Sequence, residues 1–308
     1  MQLVPMQLDK LPRRWYPEFW TMRRSPAWMI GRSIIIVLIS GFAAATLVRF
    51  SPGFGIDERA LDPRLSAQTM EAVGREHAAE RNPFAFYARF LGGMLRGDAG
   101  RSIVFGQPVG QLIGERAPST IHSVLTGLAF GWSGALLCAV AAALNRRAST
   151  TLAAMALSGT LLSIPAAVLA TICLLLRLPP AIAIAAVVFP RIFPHAYEQL
   201  RASLAAPHVV MARARGLAAT RLFLFHMVPP ALMPLIALAG VSIPLAFGAS
   251  IPVEALADAP GIGQLAWRAA LGRDLPVLVA VTLLLTVITV AANLVADLVL
   301  VRLERREA

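Results

Sequence analysis

Lysine is almost missing from this chain. Of its 28 basic residues only Lys10 is a lysine, and it follows Gln7, Leu8 and Asp9 rather than a glycine-rich turn. A G-x-x-x-x-G-K-[ST] loop needs that lysine to reach the terminal phosphates, so the chain cannot hydrolyse ATP through such a motif. Cysteine is scarce as well. Cys138 and Cys173 both lie inside apolar runs, which fits buried thiols acting as small hydrophobes and argues against a disulfide or a zinc site. Charge is low: 15 % of the residues are charged and 57 % are hydrophobic. A soluble domain of this length carries more charge, so the composition points to a membrane protein. The formal net charge of +11 would suit nucleic acid, but the arginines stand between apolar runs instead of gathering on one polar domain. No H-E-x-x-H metalloprotease motif occurs, and His122 beside Ser123 is a poor nucleophile–base pair.

What the chain does have is long apolar runs. About 20 apolar residues cross ~30 Å of hydrocarbon as helix, and six stretches qualify: 28–48, 121–144, 152–176, 181–193 with extensions at both ends, 231–253 and 276–301. The fourth carries Pro190, Arg191 and Pro194, so a kinked or irregular span is expected there. Residues 1–27 interleave Trp15, Tyr16, Phe19 and Trp20 with Lys10, Arg13, Arg14, Arg23 and Arg24, a pattern that suits an amphipathic piece at a membrane interface. With the N-terminus inside, the inward connections hold 15 basic residues and the short outward ones hold three, Arg177, Arg268 and Arg273. That asymmetry predicts that both termini are cytoplasmic. The expected organisation is an N-terminal cytoplasmic or interfacial segment at 1–27, a first span at 28–48 and an extracytoplasmic segment at 49–119. A five-helix core at 120–308 follows, with an inward loop at 195–230.

That loop is sharply articulated. In "ARARGLAATRLFLFHMVPPALMP", residues 212–234, Gly216 suits a left-handed helix stop. Thr220 suits a cap for a short helix from Arg221 to Val228, and Pro229 and Pro230 suit its end and the start of the next span. A short amphipathic helix on stiff arms fits docking into another protein's groove, or lying among lipid headgroups.

"VMARARGLAATRLFLFHMVP" resembles the EAA loop of ABC importer permeases, with Ala212, Gly216 and Pro229 at the pattern's spacing and Val210 in place of the leading glutamate. "ARARGL" is similar to the form typical of the dipeptide, oligopeptide and nickel branch. "VEALADAPGIGQLAWRAALGRDLPVL", residues 253–278, resembles that branch's E-x-x-F-x-x-P-G-x-G…RDYP segment through Glu254, Pro260, Gly261, Gly263, Arg273, Asp274 and Pro276. Ala257 and Leu275 stand where the aromatics usually are. "GDAGRS" (97–102), "PV" (108–109), "PST" (118–120) and "NLVAD" (293–297) are similar to further segments of the same branch.

The resemblance implies an all-α polytopic protein of the type I ABC importer permease fold, with about six transmembrane helices in a bacterial inner membrane. It implies a transport subunit rather than an enzyme. It further implies two ATPase subunits on the inward loops, a second permease that is a different homologue, and an extracytoplasmic substrate-binding protein. ATP and magnesium would be bound by the ATPase, with no cofactor or metal on this chain. Cargo would be peptides, or nickel or other small solutes. On this reading Ala212, Gly216, Arg221, Leu222, Phe223, Phe225, His226 and Pro229 form the ATPase-coupling element. Glu254, Pro260, Gly261, Gly263 and Asp274 form an outer gate or receptor contact, with Glu254 and Asp274 expected at the outer interface rather than buried. Asp297 is expected to be structural, within reach of Asn293 one turn earlier. The alternative class is an ion-coupled secondary transporter, which usually shows midspan ionisable residues; these spans have few.

Overall fold

In the computed structural model the described residues are 26–49, 83–145, 148–223, 225 and 228–307, and they are helical apart from short connections and one isolated bridge. The helices are α1 (Pro26–Arg49), α2 (Pro83–Met94), α3 (Val109–Leu144), α4 (Ala148–Ser163), α5 (Ala166–Leu175), α6 (Pro180–Ala205), α7 (Pro207–Ala214), α8 (Ala219–Leu222), α9 (Val228–Leu256), α10 (Ile262–Leu271) and α11 (Leu275–Glu307). Five are long and apolar enough to cross a membrane, and α4 with α5 makes a sixth if the bent pair is one span. The interfacial segment and most of the 49–82 stretch lie outside the described residues.

α3 and α6 form the spine. Gly127, Gly131, Ala135 and Ala139 recur every four residues along one face of α3, and all are buried. A Cβ on Gly127 would stand 2.7 Å from the Ile184 side chain, and one on Gly131 would stand 2.9 Å from Val188. Small residues here let the two backbones approach, the usual way helices associate where lipid offers no hydrophobic contrast. The core beside this crossing runs through Val124, Ile184, Val188, Ile192 and Phe193. A second cluster joins α1, α2, α10 and α11 to the far end of α3 around Leu112, Leu265, Leu275 and Leu283. There the Tyr87 hydroxyl donates to the Leu38 carbonyl at 2.9 Å. On α1 large apolar residues such as Ile35, Ile39 and Leu47 stay more than half exposed, as expected of a lipid-facing helix.

Two spans differ from expectation. α6 is continuous despite Pro190 and Pro194, while the run at 152–176 is broken by 102° at Ile164–Pro165. Pro194 has no N–H for the Pro190 carbonyl, but Ser158 Oγ donates to that carbonyl at 3.2 Å from α4. The first half of α6 packs closely on α3 through Ile184 and Val188. At Pro165 the preceding residue is forced from helical angles, and Pro165 itself is extended (ψ 144°) as the N-cap of α5.

Candidate functional site

At one end of the bundle, α6 passes through Ala206 (ψ 137°) into α7, which Pro207 opens at its first position. α7 closes on Gly216, whose φ of +77° is left-handed. The Leu217 N–H bonds the Ala212 carbonyl (3.4 Å) and the Gly216 N–H bonds the Arg213 carbonyl (3.0 Å), the two bonds of a Schellman closure. The left-handed stop expected at Gly216 is therefore present. The next α-helical turn is Ala219–Leu222, so Thr220 lies within it rather than at its cap, and Phe223 and Phe225 beyond it are π-helical. Pro229 and Pro230 fall in the first turn of α9, where a missing N–H costs nothing.

Ala212 (7 % exposed), Val209 and Leu222 (5 % exposed) turn into the chain's own core. Leu222 therefore anchors the turn to the arms instead of facing outward, which corrects its place in the expected docking run. Phe223 packs partly against the same core and lines a wholly apolar cavity of about 440 Å³ between α3, α6 and α9. The residues left facing out are Val210, Met211, Arg213, Arg215, Arg221 and Phe225, the last 69 % exposed. His226 lies outside the described residues.

The other end of the bundle is tied by two buried carboxylates. Glu254, on the last turn of α9, and Asp274, just before α11, are both 0 % exposed, which corrects the expectation of interfacial side chains. Glu254 Oε2 accepts the Gly263 N–H at 2.7 Å and the Thr120 hydroxyl at 3.0 Å. The Thr120 oxygen in turn accepts the Ile262 N–H at 2.8 Å. Asp274 Oδ2 accepts the Ser102 hydroxyl and the Val104 N–H at 3.1 Å, and Ser102 Oγ accepts the Phe105 N–H at 2.9 Å. In each pair one hydroxyl donates to a carboxylate and accepts from the backbone; the Glu254 centre joins α3, α9 and the start of α10, and the Asp274 centre joins the 98–108 turn to the start of α11. Both carboxylates sit at helix ends, but α10 and the 98–108 turn fold over them.

The motif glycines follow from this closeness. A Cβ on Gly261 would stand 2.1 Å from Glu254 Oε2, and one on Gly263 would stand 2.6 Å from the Ile251 Cα. Pro260 is exposed on the turn before them. Arg273, not Gly272, takes the left-handed φ of +53° that closes α10. Gly272 is there because a Cβ would meet the Val104 side chain at 2.4 Å. Asp274 then caps α11: its Oδ1 accepts the Val277 N–H at 3.4 Å, with Pro276 in the helix's first turn. Arg116 donates to Gln264 Oε1 at 2.6 Å, Gln264 donates to Asp258, and Arg268 pairs with Asp258 at 3.1 Å. Thr120 and Ser102 carry no role in the sequence reading, although "PST" and "GDAGRS" mark their positions. The expected contact of Asp297 with Asn293 is not made: among the described residues no hydrogen bond joins them, and Asn293 lies against Gly240 on α9.

An all-helical bundle of five or six membrane-crossing segments, with an articulated loop at one end and a hydrogen-bonded knot at the other, defines a polytopic transport subunit. The chain belongs to the family of binding-protein-dependent transport system inner membrane components, which it matches over residues 111–308. It is 27 % identical over 267 residues to the oligopeptide transport system permease protein AppB of Bacillus subtilis, covering 77 % of this chain and 84 % of that protein. It is 24 % identical over 302 residues to a putative peptide transport system permease protein of Brucella suis, covering 87 % and 94 %. It is 25 % identical over 253 residues to the glutathione transport system permease protein GsiC of Salmonella paratyphi A, covering 76 % and 83 %. The articulated loop and the Thr120–Glu254–Gly263 part of the knot fall within the family match, as does α3 from Gln111 onward, while Ser102 and the 98–108 turn precede it.

Proposed function

We propose that this chain is one of two permease subunits of an ATP-driven importer for peptides, with both termini and the α7–α8 loop cytoplasmic. The family match supports the transport role, the relatives' names support peptide cargo, and the distribution of basic residues supports the orientation. ATP and magnesium belong to a separate ATPase, since the single lysine cannot serve a phosphate loop.

The observation that carries the coupling role is the divided loop. Ala212 and Leu222 turn it into the core that residues of α6 and α9 also form, while Met211, Arg221 and Phe225 face out. A piece anchored in this way moves with its arms, so a partner gripping the outer face would tilt α6 and α9 as rigid bodies. Gly216 sets the angle between the two short helices.

Mild extraction from native membranes should bring down a Walker-motif ATPase and a second permease of the same family. Phe225→Asp combined with Arg221→Glu should release the ATPase and leave the permease inserted and folded. Leu222→Asp should instead lower the melting midpoint, because it places a charge in the core. Retention of the ATPase by the double variant would refute the assignment of the docking face.

A further inference from the structure

The corner between α4 and α5 poses an energetic problem. From Ala148 to Leu176 the chain carries no charged residue, and the break at Ile164–Pro165 falls near the middle of that run. Ser158 fixes its depth through the bond to the Pro190 carbonyl. Ser163 lies about 7.5 Å along α4 from Ser158, whereas α6 extends about 15 Å beyond Pro190 at one end and about 22 Å at the other. In either direction, the break lies alongside a membrane-crossing helix.

Non-helical backbone at that depth is tolerated only inside protein or beside water. The chain buries this corner only on one side: Leu161 and Ile164 pack against the core, while Thr160, Leu162, Ser163 and Pro165 are exposed and a Cβ on Gly159 would have nothing within 4 Å. Nor is the corner apolar. The last carbonyls of α4 lack intrahelical partners, and Pro165 removes the N–H that Leu161 would have used. The Thr160 and Ser163 hydroxyls direct their protons to the carbonyls of Ala156 and Thr160, both at 2.8 Å, which leaves oxygen lone pairs outward. Ala166 and Ala167 open α5 with N–H groups that have no acceptor within that helix.

We infer that the α4–α5 corner lines the aqueous translocation path and contacts the cargo's peptide backbone there. It offers uncharged acceptors and donors together, the complement of amide groups, and no charge that would select among side chains. The identity of the cargo rests on the peptide-importer reading; the exposure of the corner to water does not.

The test uses the reconstituted transporter with Cys138 and Cys173 replaced by serine, carrying Ser163→Cys, Thr160→Cys or the lipid-facing control Ile39→Cys (63 % exposed on α1). A charged, membrane-impermeant methanethiosulfonate reads water access, because only the thiolate reacts, and each unit of pKa rise in apolar surroundings lowers its fraction about tenfold. Ser163→Cys and Thr160→Cys should label at least about tenfold faster than Ile39→Cys, and slow when a transported peptide and its binding protein are added. Labelling no faster than the control places the corner against lipid or the second permease and overturns the inference. Fast labelling that a transported peptide leaves unchanged overturns the cargo contact. Peptide uptake by the same vesicles is measured separately, so failure of the importer reading shows as absent uptake, whatever the labelling rates.

Discussion

Replacing Thr120 with valine exchanges one hydroxyl for a methyl and leaves the side-chain shape nearly unchanged. In the structure that hydroxyl serves two partners, donating to Glu254 Oε2 at 3.0 Å and accepting the Ile262 N–H at 2.8 Å, at a position 1 % exposed. Valine leaves the Ile262 N–H buried without an acceptor, which costs about 1–3 kcal/mol, and removes a bond to a carboxylate worth about 1.5–3 kcal/mol. Glu254 keeps the Gly263 N–H at 2.7 Å, so the loss does not reach the full sum; about 2–5 kcal/mol is expected. Serine keeps both bonds and loses one methyl, about 0.8 kcal/mol plus any small cavity term. The two variants, assayed as the intact complex in detergent, should therefore differ clearly in melting midpoint, with valine the lower. Glu254→Ala should fall at or below valine, and combining it with Thr120→Val should cost less than the two separate losses together, because they share one bond. If Thr120→Val melts with Thr120→Ser, or the double variant is fully additive, Thr120 does not tie α3 to α9 and α10.

Two further substitutions probe the spine and the loop. Gly127→Ala should cost about 1–3 kcal/mol by overpacking the α3–α6 crossing, since the new Cβ would stand 2.7 Å from Ile184 and 3.0 Å from the Ala181 carbonyl. Adding Ile184→Ala should recover part of the melting midpoint, and a lack of recovery would show that the crossing is not the cause. Gly216→Val should cost about 1–2 kcal/mol, because a β-branched residue is strained at φ +77° although nothing stands within 4 Å of the new Cβ. Gly216→Asn should be much milder; equal melting and equal ATPase association for the two would refute the conformational argument.

The sequence reading succeeds where one residue decides the local geometry. Gly216 at a C′ position and Pro229 and Pro230 in a first turn can each be read from the letters alone. It fails where the outcome depends on a neighbour distant in the chain. Pro165 breaks its span while Pro190 and Pro194 do not, and the Pro190 carbonyl that Pro194 leaves unpaired is met by a serine more than 30 positions away. The burial of Glu254 and Asp274 fails for a related reason. Their place at the ends of apolar runs suggests an interface, and nothing local says that α10 and the 98–108 turn fold over them. A partial signal was present: each carboxylate is matched by a hydroxyl in a distant motif, Thr120 in "PST" and Ser102 in "GDAGRS".

The knot and the articulated loop share a helix, and this constrains how they can communicate. α9 begins at the loop, with Pro229 and Pro230 in its first turn, and ends in the knot, where Glu254 is held by α3 and α10. Between them Pro234, Pro244 and Pro252 each delete an i to i−4 bond, so α9 bends more readily than an unbroken helix of its length. The knot resists bending, because moving Glu254 separates its carboxylate from bonds on two other elements. A displacement entering at Val228 would therefore be absorbed along the proline-bearing stretch until it is large enough to break the Thr120–Glu254–Gly263 set together. Loss of the knot would then be all-or-none rather than graded, since the Thr120 hydroxyl and the Glu254 carboxylate lose their shared partners in the same step.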